Sequence, residues 1–219
     1  MEAVAPQAPV AVKPQLTTAG LKTALGNCLL AFSFLITMLP SARGLNFSLA
    51  GAANVVWLMG AAVMAVMSFA RFAPLSATVN LRTIAASGAM LILPCFMRPT
   101  DSSTSALVTT GLIFELFGVT LTQVARVYMG RSFGILPANR GIVSKGPFRW
   151  VRHPIYFGWL VLSIGFAMSY ASPRNVLLIV ATVPFMFWRI EQEEAHLRAD
   201  PEYRAYMDRV PYRLWPGIV

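Results

Sequence analysis

Residues 155–188 read IYFGWLVLSIGFAMSYA-SPR-NVLLIVATVPFMFW. Two apolar runs, 155–171 and 175–188, are separated only by Ser172, Pro173 and Arg174. About 20 apolar residues in a helix cross the hydrocarbon of a bilayer, and in lipid only structures that pair their own backbone groups survive. Two such runs joined by three residues predict an antiparallel helical hairpin in a membrane. Four further runs of this kind lie upstream, at 21–40, 49–70, 83–97 and 105–128. The third is short and holds Pro94.

Composition agrees. The 219 residues are 56% hydrophobic and 12% charged, and the mean hydropathy is +0.60. A soluble domain carries about 25% charged residues, so this chain lacks the polar surface to coat a soluble globule. The reading is an all-α, polytopic bundle of about six spans, with residues 21–219 as one membrane domain. Residues 1–20, with Pro6, Pro9 and Pro14 and one residue of each charge (Glu2 and Lys13), lack the pattern of a secretory signal and are expected to form a disordered cytoplasmic tail.

The net charge of +9 would suit nucleic acid, but its distribution points elsewhere. With six spans and the N-terminus inside, only Arg43, Arg98 and Arg174 of the 18 basic residues face outward, leaving 15 on the cytoplasmic side. That is the asymmetry that orients membrane proteins, and it excludes nucleic acid as the explanation. Cys28 and Cys95 stand in separate apolar runs without a second cysteine nearby, so neither a metal site nor a disulfide framework is expected.

Two charged stretches flank the hairpin: the linker 129–153 and the tail 189–219. The hairpin brings both to one membrane face, where a polar cofactor would bind. Pro154 suits the first turn of a helix, which puts His153 and Arg152 beside free backbone N–H groups able to take an anion. The local alternative is that both side chains anchor the span among headgroups. In Arg189-Ile-Glu-Gln-Glu193-Glu194, Arg189 and Glu193 are four apart and can pair, while Glu194 points elsewhere and stays free. A solvated acidic face is the alternative. Asp200-Pro201 reads as an N-cap and first position of another helix. Tyr203, Tyr206, Tyr212 and Trp215 are expected in an interfacial aromatic belt.

Arg152-His-Pro-Ile-Tyr156-Phe-Gly158, the hairpin, the pair Glu193-Glu194, Leu197, Tyr203, Tyr206, Val210 and Pro216, with upstream Gly130-Arg-Ser-Phe and Arg140-Gly141, resemble the isoprenylcysteine carboxyl methyltransferase family and its bacterial members. The phospholipid N-methyltransferases share the paired acids. The resemblance covers residues 130–216 and implies S-adenosylmethionine as cofactor, held by His153, Tyr156, Glu193 and Glu194, with Arg152 available to its carboxylate. It also implies Arg213 or Arg189 nearer the acceptor. The acceptor would be a lipophilic small molecule, lipid or lipidated group, methylated at a carboxylate, on the cytoplasmic face of a bacterial inner membrane and without a metal. Phe148, Trp150, Tyr156 and Trp215 would keep water out, and bulk at Gly158 would block a lateral acceptor route.

Three alternatives stand beside this reading. One is methylation of a phospholipid amine. Another is an NADPH-dependent membrane reductase, which shares Arg-His-Pro but typically follows it with Asn and follows its Gly with Glu, where this chain has Ile155 and Trp159. The third is a membrane scaffold or transporter built on Glu115, Thr122 and Arg126, which share one helical face.

Overall fold

The computed structural model describes residues 27–28, 31–32, 55, 58–59, 62–63, 65–66, 69, 76–77, 81–98, 100, 103–132 and 138–217. The tail 1–20 lies outside the described residues, and of the runs 21–40 and 49–70 only scattered helical positions are described. Five helices make up the rest: α1 (Leu81–Ile92), α2 (Ser105–Met129), α3 (Pro154–Ser169), α4 (Pro173–Leu197) and α5 (Pro201–Arg209). One antiparallel pair of two-residue strands, β1 (Ser76–Ala77) and β2 (Ala138–Asn139), joins the linker to the stretch before α1, with Ser76 opposite Asn139.

The helix limits follow from local chemistry. Pro154, Pro173 and Pro201 each open a helix, where a missing N–H costs nothing. Ser172 accepts from Asn175 N and Asp200 from Glu202 N as N-caps. Pro94 turns the end of α1 into a 3-10 turn, Leu93–Phe96. Only α2 among the described residues is long and apolar enough on its own to cross a membrane, while Leu81–Phe96 and Pro154–Ser169 are shorter apolar helices.

Burial runs opposite to that of a soluble bundle. Thr83, Ala86 and Ser87 of α1 face inward while Leu81, Ile84 and Ile92 face out. On α2, Glu115, Thr122 and Arg126 are buried, and Ile113 and Phe117 are 58% and 54% exposed. On α4, Asn175 and Thr182 are inside and Leu177 and Val180 outside. Water would select the opposite arrangement. Small and polar side chains inward with bulky apolar ones outward is the packing pattern of helices in lipid.

The closest packing in the described fold is not within the α3–α4 hairpin. It is between α2 and α3, which run antiparallel with their backbones in contact; α4 packs on α1. A Cβ at Gly118 would lie 2.5 Å from Gly158 O, and one at Gly165 would lie 2.5 Å from Gly111 O. Gly111 and Gly118 on α2 thus meet Gly165 and Gly158 on α3, and Glu115 is locked in the same seam by a 2.7 Å bond from Ser169 Oγ. Gly158 therefore faces α2 rather than an open lateral groove. At the other end of the bundle Asn175 Nδ2 donates to Arg98 O (2.9 Å) and Tyr170 O (2.8 Å), and Asn175 Oδ1 accepts from Arg98 N (3.1 Å).

Candidate active site

Glu194 is on the last turns of α4 with its side chain 0% exposed. Its Oε1 accepts from Arg152 Nε (2.8 Å) and contacts His153 Nε2 (3.1 Å). Its Oε2 accepts from Arg198 Nη2 (3.3 Å) and from Arg213 Nε and Nη2 (3.2 and 3.1 Å). Burial alone would push this carboxyl up, but the bonds and charges of His153 and Arg152 win and hold it at about 2. Glu194 is thus not the free acid that helical spacing suggests. Its partners come from the linker and tail, which spacing along one helix cannot show.

The backbone closes the same junction. Arg152 N donates to Tyr212 O (2.9 Å) and His153 N to Arg213 O (2.8 Å). Arg152 Nη1 reaches Val210 O (2.9 Å) and Pro211 O. These bonds and the one to Glu194 direct the guanidinium to the junction rather than leaving it at the helix entrance for an anion.

A second trio stands beside the first. Tyr156 Oη donates to Glu193 Oε1 (2.6 Å), Arg189 Nε donates to the same oxygen (3.0 Å), and the Arg189 guanidinium lies 5.6 Å from the Tyr156 ring centroid. The pairing expected from the four-residue spacing is present.

Between the linker and α5 lies a cleft lined by Met129, Ser132, Arg140, Gly141, Ile142, Val143, Phe148, Arg152, His153, Glu193, Leu197, Tyr203 and Tyr206. Of the residues expected to hold the cofactor or the acceptor, Arg152, His153 and Glu193 line it. Tyr156, Arg189, Glu194 and Arg213 stand behind them, each bonded to a group already named. The linker reaches this position through glycines at positive φ, Gly130 (51°), Gly141 (97°) and Gly146 (60°), conformations that a Cβ disfavours. A bond from Asn139 Nδ2 to Asp200 Oδ2 (2.6 Å) ties the linker to the start of α5.

Tyr203 and Tyr206 do not form an interfacial belt. They are 4% and 2% exposed and pack with Val210 against Ile142, Leu197 and Met207. Tyr206 Oη donates to Phe148 O (2.7 Å). Burial first, then the charge of Glu194, raises both phenols above their ordinary range. Nor do Phe148, Trp150, Tyr156 and Trp215 make one cluster. Phe148 lines the cleft, Tyr156 packs on Met186 and Ile190, Trp215 stacks on Phe157 (5.1 Å), and Trp150 is exposed beneath Arg149. The sequence reading missed Ile142, Val143, Tyr203 and Tyr206 as cleft wall. The glycines around Ile142 and Val143 were the available signal.

Residues 103–200 match the family model described as phospholipid methyltransferase. The protein-S-isoprenylcysteine O-methyltransferase of Homo sapiens is 34% identical over 110 residues, 47% of this chain and 39% of its own length. That of Xenopus laevis is 33% identical over 109 residues, 46% of this chain and 38% of its own. Form B from Arabidopsis thaliana is 30% identical over 109 residues, 46% of this chain and 55% of its own. The match thus spans between about two fifths and just over half the length of these relatives. Over residues 103–200 the chain is thus similar to the phospholipid methyltransferase family, and over about 110 residues it is similar to the protein-S-isoprenylcysteine O-methyltransferases.

Proposed function

We propose that this chain is a membrane-embedded, S-adenosylmethionine-dependent methyltransferase that esterifies the carboxylate of a lipophilic acceptor. The observation that carries the reading is the cleft between linker and tail, which combines an acid, cationic groups and an aromatic wall. S-adenosylmethionine supplies a methyl group already activated on a positively charged sulfur, and it carries an ammonium, a carboxylate and a purine. Glu193 is the acid that lines the cleft and suits the ammonium, with Tyr156 and Arg189 fixing its oxygen. His153 and Arg140 suit the carboxylate. Phe148, Tyr203, Tyr206, Ile142 and Val143 offer the apolar wall that a purine needs. Glu194, saturated from four sides, positions Arg152, His153 and Arg213 rather than touching the cofactor.

Orientation supplies most of the acceleration when the transferred carbon is already activated. A carboxylate acceptor is ionised at neutral pH and needs no general base, whereas an amine must first lose a proton. The names of the relatives, isoprenylcysteine O-methyltransferases, favour the carboxylate. The family model's description, phospholipid methyltransferase, favours the amine, and mass analysis of products from both acceptor classes separates them. The inverted burial supports lipid around the helices. On this reading residues 21–219 form one six-span domain with both termini and the cleft on the cytoplasmic face of a bacterial inner membrane, and residues 130–216 hold the cofactor.

The test is calorimetric titration of the full chain in lipid nanodiscs with S-adenosylmethionine. Glu193→Gln should weaken binding about 10- to 150-fold, the loss of one charge-assisted bond of about 1.5–3 kcal/mol, while exposed Glu191→Gln leaves it unchanged. No binding to the wild type, or equal binding by both variants, overturns the assignment.

A further inference from the structure

Thr122, Gln123 and Arg126 stand where α2 leaves its glycine seam and approaches the cleft. Thr122 is 2% exposed, and its Oγ1 abuts the place where a Cβ at Gly158 would stand. Arg126 is buried as well, and Met129 lines the cleft. Residues three and four apart share a helix face, so Thr122, Arg126 and Met129 form one stripe running from seam to cleft. Arg126 sits roughly 4.5 Å along the axis from Met129.

Arg126 Nη1 donates to Gln123 Oε1 (3.3 Å). That bond occupies the acceptor of the amide and leaves its N–H groups to donate elsewhere. Gln123 Nε2 and Thr122 Oγ1 are both buried and have no hydrogen-bond partner among the described residues. Buried polar atoms in folded proteins are nearly always paired. What the three side chains offer together is a hydroxyl, an amide NH2 and a guanidinium: donors, with a positive charge among them.

The geometry points to an acceptor-binding site, in which Arg126, Gln123 and Thr122 hold one oxygen of the acceptor's carboxylate and leave the other oxygen for methylation. This rests on the methyl-transfer reading above and adds the residues that select the acceptor. It places selection on α2, apart from the arginines of α4 and the tail. Arg189 and Arg213 pair with Glu193 and Glu194, and Arg126 lies one turn before Met129, which lines the cleft.

The experiment measures binding of an S-isoprenylated cysteine and of its carboxamide to the full chain in nanodiscs, without cofactor. The wild type should prefer the carboxylate by about tenfold or more, as expected for a charge-assisted bond. Arg126→Gln should bring the carboxylate down to the affinity of the carboxamide, with carboxamide and S-adenosylmethionine affinities unchanged. Arg126→Lys should restore part of the preference. Gln123→Met, which keeps the length and removes the amide, should lower it by a smaller factor. A purely structural role would weaken both ligands together. The inference is overturned if the wild type shows no preference, if both substitutions leave the preference intact, or if phosphatidylethanolamine displaces the carboxylate ligand, which would assign these donors to a lipid phosphate. Loss of S-adenosylmethionine binding in the wild type would sink the methyl-transfer reading, while the carboxylate preference still decides this one.

Discussion

At Glu194 one buried carboxylate receives contacts from Arg152, His153, Arg198 and Arg213. Its folded pKa of about 2 lies below the ordinary 4.5, so the folded state favours the ionised form. The resulting stability is fully present above about pH 4.5 and is lost as pH falls through about 2. At about 1.4 kcal/mol per unit, it is on the order of 3 kcal/mol. The melting temperature of the wild type should therefore drop across that window. Glu194→Gln should be less stable at neutral pH, because cations gathered around a missing charge cost about 3–5 kcal/mol, and it should lose much of the pH dependence there. Identical acid profiles for the two proteins would remove Glu194 from the centre of the junction. The neighbouring pair shows what one helix reveals. Arg189–Glu193 was legible because both partners share a face. The environment of Glu194 was not, because three of its partners are 41, 42 and 19 residues away.

The seam between α2 and α3 is set by four glycines at seven-residue spacing, two on each helix. Ala at a helical glycine ordinarily gains about 1 kcal/mol in propensity. At Gly118 or Gly158 the added Cβ would instead meet the facing backbone carbonyl at 2.5 or 2.8 Å, and neither helix can yield without parting from the other. Gly118→Ala and Gly158→Ala should each destabilise by about 1–3 kcal/mol, as overpacking does. Gly88→Ala on α1, with nothing within 4 Å among the described residues, should be neutral or stabilising by about 0.5–1 kcal/mol. Thermal unfolding in detergent checks all three, and equal effects would mean the seam is looser than described. Bulk at Gly158 is consequently a poor probe of acceptor entry, since it would force the helices apart first. Helix ends were readable because Pro at first positions and the Ser172 and Asp200 caps are local signals. The choice of partner was not. The short α3–α4 connection fixes which helices are consecutive, whereas the glycines decide which ones touch.

Across the described helices, most polar and small side chains named above face inward while many large apolar ones face outward, the arrangement that lipid favours. If the cleft is cytoplasmic, as proposed, reporter fusions at Arg43, Arg98 and Arg174 should all read as external, and a cytoplasmic reading at Arg98 or Arg174 would refute the six-span arrangement. The bond between Arg98 and Asn175 spans 77 residues in sequence, so these two sites should report the same side. At the opposite end, Arg152 binds the carbonyl of Val210 across 58 residues, a loop that contains the whole of α3 and α4. Closing so long a loop is entropically costly until the enclosed segments are ordered. The junction around Glu194 is therefore expected to close only after α3 and α4 are ordered. In rising denaturant, amide protection at Arg152 and His153 should vanish before the far-ultraviolet helix signal falls. A newly made chain would pass through a stage with its helices already packed and the cleft still unformed, and cofactor affinity would then report completed folding more sharply than helix content does.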